Sequence, residues 1–89
     1  MDAATQVEAV VDLLGRLGIE VRKERLGGAG GSLCEIRGRR VVFIDLEADL
    51  ATTLDRCLTA LAALPEVDEL YLPPELRERL EQLREQSNG

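Results

Sequence analysis

The sequence predicts an α+β domain, and three patterns carry that reading. Val7, Val10, Val11, Leu14 and Leu17 recur at helical spacing near the N-terminus. Leu33–Ile36 and Val41–Ile44 are apolar runs joined by Arg37-Gly38-Arg39-Arg40, the pattern of a β-hairpin. Leu50, Leu54, Cys57, Leu58, Leu61 and Leu64 again repeat at helical spacing before Pro65. The expected architecture is an N-terminal helix, a small antiparallel or mixed sheet of three to four strands built on the central hairpin, and two C-terminal helices.

The first helix is placed at about 3–17, with Asp2 or Thr5 capping its start and Gly15 or Gly18 ending it. From Ile19 to Leu26 the chain alternates and then turns charged, which suits an edge strand guarded against stray pairing. Gly27–Gly31 then reads as a flexible hairpin loop between two strands. Gly38, taken as the first central residue of a two-residue turn, suits type II′. Val41–Ile44 is apolar on both faces, so helices on both sides, or a partner subunit, are expected to cover it.

The second helix is placed at about 49–63. Val67–Leu72 is expected to be a short fourth strand, reached by a crossover and set parallel to the third. Pro73-Pro74 starts the last helix, with a narrow stripe of Leu76, Leu80 and Leu83 and an i, i+4 pair of Glu75 with Arg79. One domain over residues 1–86 and a frayed tail at 87–89 complete the layout.

Composition excludes more than it assigns. The chain has no histidine, which removes imidazole acid–base chemistry, Ser-His and Cys-His pairs and most zinc sites. One Phe, one Tyr and no Trp leave almost no stacking surface for bases or sugars. Apolar stretches are too short to span a bilayer, and Met1-Asp2 opens no export signal, so a cytoplasmic protein is expected. Cys34 and Cys57 lack CxxC spacing and read as reduced core residues, with a redox-sensitive pair as the alternative.

The net charge of −6 is uneven. Residues 19–40 carry six basic groups against three acidic ones, whereas residues 41–89 carry four against eleven. Overall acidity argues against non-specific binding to nucleic acid.

Two motifs were weighed for chemistry. The glycine cluster lacks the lysine of a phosphate loop, and Leu33 stands where a GxGxxG motif needs a third glycine or alanine. Its backbone amides remain candidates for an anion nest. Asp45, Glu47 and Asp49, at a strand-to-helix junction, fit either a Mg²⁺ site or helix capping, and capping is the better account.

From Leu26 through Asp45 the chain resembles a family of small, uncharacterised bacterial proteins. They share a Gly-rich loop, an LCRLRG-like strand and an apolar strand ending in Asp. The resemblance extends to Pro74 and implies no activity. The order of elements is also similar to the N-terminal part of ImmA/IrrE-type zincin metallopeptidases. Where that family carries HExxH, this chain reads Leu58-Thr59-Ala60-Leu61-Ala62, so no ligand or base is carried over.

The reading that follows is a non-catalytic protein-interaction or regulatory module with no cofactor and no metal. Its partner is an unknown protein or a second copy, met through Tyr71, Leu72, Leu76, Leu80 and Leu83. Those leucines could equally dock on the domain's own sheet. The alternative is nucleic-acid or anionic-ligand binding through Arg22, Lys23, Arg25, Arg37, Arg39 and Arg40. An enzyme using Cys34 or a Mg²⁺-bound Asp45, Glu47 and Asp49 ranks last.

Overall fold

In the computed structural model, which describes residues 1–28 and 30–88, two helices pack against a three-stranded mixed sheet and a third packs on the second of them. Helix α1 spans Ala3–Arg16, strands β1 Glu20–Glu24, β2 Leu33–Ile36 and β3 Arg39–Asp45, helix α2 Leu50–Ala62 and helix α3 Pro74–Asn88. A 3-10 turn at Pro65–Glu69 links α2 to α3. Among the described residues no helix is long and apolar enough to cross a membrane.

Helix α1 begins at Asp2, whose carboxylate accepts from the Thr5 amide, and α2 begins at Asp49, which accepts from Thr52. Each cap satisfies an amide that the first helical turn leaves without a partner. Both carboxyls lie below their ordinary pKa, chiefly through the backbone bond to Thr5 and to Thr52 respectively.

The sheet order is β1-β3-β2, with β1 parallel and β2 antiparallel to the central β3. Hence β1 and β2 do not form a hairpin. The glycine segment between them instead carries the chain from one sheet edge to the other, and Ala29 lies outside the described residues. The expected fourth strand is also absent: Val67 is in the 3-10 turn, and Leu70–Pro73 is not paired. The physical reason is that β3 already has a neighbour on each side, so a strand returning after α2 has no place next to it.

The β2–β3 turn is Arg37-Gly38, with Ile36 opposite Arg39. Both central residues have positive φ, 53° and 77°, so the turn is type I′ with Gly38 second, not type II′ with Gly38 first. Arginine in this left-handed conformation costs roughly 1–2 kcal/mol that glycine would not.

One apolar cluster joins the layers. It contains Val10, Leu13 and Leu14 of α1, Val42 and Ile44 of β3, Leu54, Cys57, Leu58 and Leu61 of α2, and Leu76 and Leu80 of α3. Burial lifts the Cys57 thiol to about 11. Val41, on the opposite pleat, lies outside that cluster, although its neighbours leave it only 1 % exposed. Among the described residues the recess beside Val41 is lined by strand and turn residues and by none from a helix, whereas helices or a partner subunit were expected on that face.

Ion pairs fasten the periphery. Arg40 grips Glu66 through two bonds of 3.0 and 2.8 Å, tying β3 to the 3-10 turn and holding the Glu66 carboxyl below its usual range. Arg79 binds Asp55 of α2 at 2.8 Å, not Glu75, which meets the N-terminal amine and Gln6 instead. Helix α3 extends through Asn88, and Gly89 lies outside the described residues.

Candidate binding cleft

Where β1 and β3 end side by side, their parallel C-termini open into a cleft between α1 and the start of α2. Its volume is about 450 Å³, within the range of small-ligand and side-chain pockets. Val7 and Val11, one turn apart on α1, form one wall. Ile44 and Thr53 close the interior, and Leu46, Ala48 and Leu50 form the opposite lip. Leu46 and Leu50 are 57 % and 51 % exposed, large apolar side chains held in water.

The polar groups around the cleft are Glu8 and Asp12 on α1, Lys23 on β1 and Asp45 at the end of β3. Asp12 pairs with Arg16 one turn away. Lys23, the only lysine in the chain, lines the cleft opposite the acidic wall.

Asp45 is 2 % exposed, and its carboxylate is fully engaged by backbone. One oxygen accepts from the amides of Leu26 and Glu47, both at 2.9 Å; the other accepts from Gly28 at 2.6 Å and Gly30 at 3.2 Å. Burial acts to raise the carboxyl's pKa, and the four amides outweigh it, so the group lies below the ordinary value. The amides of Gly28 and Gly30, expected as candidates for an anion nest, are turned onto the chain's own carboxylate. Gly28 and Gly30, at φ +90°, aim their amides inward in a conformation other residues rarely adopt.

The junction carboxylates consequently have separate tasks. Asp45 holds the loop and Asp49 caps α2. Among the described residues no group of three His, Cys, Asp or Glu is placed to hold a metal ion.

The expected partner surface is largely interior. Leu76 and Leu80 are 0 % exposed and Leu72 2 %, spent on docking α3 and its approach segment against the core, while Leu83 is partly buried against it. Only Tyr71 of that set stands in solvent. The six basic residues do not form one patch either. Arg22, Arg37 and Arg39 border a recess on the open face of the sheet, Lys23 lines the cleft, Arg40 is locked to Glu66, and Arg25 follows β1 on the surface. Cys34 is half-buried on edge strand β2 and Cys57 is buried, both as free thiols.

The cleft itself was missed in the sequence. Val7 and Val11 pack against the core as their place in the α1 stripe predicts, and they also wall the cleft. The available signal was Leu46 beside Leu50, two large apolar residues in a junction otherwise rich in acids. Compared with family models, curated proteins and solved structures, the chain matches none.

Proposed function

We propose that this is a non-catalytic interaction module whose cleft between α1 and α2 receives a basic, amphipathic segment of another protein. The observation that carries the reading is the pair Leu46 and Leu50, more than half exposed, flanking an apolar cleft. Exposed apolar lips around a pocket are costly in water and favour an apolar occupant. Glu8 and Asp12 along one wall, in a chain of net charge −6, favour positive charge on the polar side of that occupant. The chain has no histidine, so the cleft offers no imidazole for acid–base chemistry.

A synthetic amphipathic helix of leucine and lysine serves as probe, with a leucine–glutamate peptide of the same pattern as control. Saturable amide shifts at Val11, Leu46 and Leu50 with the lysine peptide, lost in Leu50→Glu, are the expected result. Equal shifts with both peptides, or shifts elsewhere on the surface, reject the reading.

A further inference from the structure

The open face of the sheet presents a second site of different chemistry. Glu20, Arg22, Ile36, Arg37, Arg39 and Val41 border a recess of about 650 Å³. Register explains their meeting: Glu20 lies opposite Val41 and Ile36 opposite Arg39, and paired residues point to the same side of a sheet. Arg22 is engaged by Glu20. Arg37 and Arg39 have no acidic partner among the described residues. Three guanidiniums against one carboxylate leave this spot positive in an acidic protein.

The turn adds an independent observation. The first position of a type I′ turn favours Asn, Asp or Gly, because φ is positive there. Here it is Arg37 at φ 53°. Turn geometry alone therefore gives no reason for a guanidinium at the mouth of the recess. Beside it, Ile36 is 38 % exposed and offers the recess an apolar side.

We infer that this recess binds a small organic phosphate monoester. A phosphate dianion with three acceptor oxygens suits the forked donors of Arg37 and Arg39, which match such groups through two parallel bonds each. The excess of two positive charges around the recess balances that dianion near neutral pH. Ile36 then packs against the organic body. A long nucleic acid fits less well, since Phe43 and Tyr71 are the only aromatic residues and the rest of the chain repels it.

The test is a titration followed by amide NMR at fixed ionic strength, with phenyl phosphate, inorganic phosphate, phenol and a single-stranded RNA lacking a terminal phosphate. Phenyl phosphate is expected to saturate shifts at Arg22, Ile36, Arg37 and Arg39, at least threefold tighter than inorganic phosphate, while phenol leaves them unmoved. Arg37→Asn keeps the turn, since Asn favours the left-handed region, and is expected to weaken binding tenfold or more with no loss of stability. Arg39→Ala is expected to weaken it similarly. No saturation, wild-type affinity in Arg37→Asn, shifts centred on Lys23, or equal affinity for inorganic phosphate would each overturn the inference. Tighter binding of the RNA would replace the monoester with a phosphodiester chain.

Discussion

Gly31 is where the crossing loop lies hardest against the sheet, and Gly31→Ala measures how tightly. A Cβ at this position would lie 1.4 Å from the carbonyl oxygen of Phe43 and 2.4 Å from its carbon. Real Cβ contacts essentially never fall below 3.0 Å, so loop and strand must part by about 1.6 Å. Both are backbone, and no side-chain rotation relieves the clash. Parting them stretches the bond that the Phe43 amide donates to the Ser32 carbonyl, now 2.9 Å. Losing that bond costs about 1 kcal/mol, and forced displacement in a packed region adds about 1–3 kcal/mol. The expected destabilisation is therefore about 2–4 kcal/mol. Urea unfolding followed by far-ultraviolet circular dichroism reads it as a lower midpoint at unchanged slope. Gly15→Ala is the control, because nothing lies within 4 Å of a Cβ there. A Gly31→Ala midpoint within 0.5 kcal/mol of wild type would refute the reasoning.

Leu80→Ala, at a fully buried position where α3 meets the core, should cost about 2–5 kcal/mol in the same urea experiment; a loss below 1 kcal/mol would mean that α3 is not docked as described. The Asp45 carboxyl titrates lower in the folded chain than in the unfolded one, so its contribution is complete above the ordinary carboxylate pKa and disappears as pH falls through the depressed value. Acid titration of Asp45→Asn should accordingly show a shallower decline below about pH 4 than wild type, and identical acid limbs would contradict the role given to this residue. In thiol labelling of the native protein, Cys34 should react first, while Cys57, 1 % exposed and with its thiol raised to about 11, should wait for unfolding. Equal labelling rates would place Cys57 outside the core.

The helices were legible in the sequence because each repeats its apolar residues every three or four positions, α1 and α2 open on an acidic cap, and α3 opens on a proline. The β2–β3 hairpin was legible for a similar reason, two short apolar runs around a glycine turn. Strand order was not. Charges on Glu20–Glu24 mark β1 as an edge, yet the same pattern suits either side of the sheet and either direction. Nor does the sequence reveal the role of Asp45, a single carboxylate that gathers amides from up to 19 positions away. Its spacing to the loop has no fixed motif, so it looked like a helix cap. The leucines of α3 left two readings open for the opposite reason: a narrow stripe on a charged helix looks the same whether it meets a partner or its own core. The cleft could not be read from composition, since it is assembled from three separate segments, whereas Arg22, Arg37 and Arg39 of the recess stood out as basic cross-strand neighbours.

The arrangement of strands has a consequence for how the polypeptide acquires its shape. β2 and β3 adjoin in sequence and close over a two-residue turn, whereas β1 must wait for a strand that begins fifteen positions after its own last residue. On a ribosome, α1 and β1 emerge before α2 and β3, the elements they chiefly pack against. The last residue of β3 is thus the one that fixes the loop behind β1, and seating the amino-terminal quarter of the molecule requires closing a longer stretch of chain than the β2–β3 hairpin does.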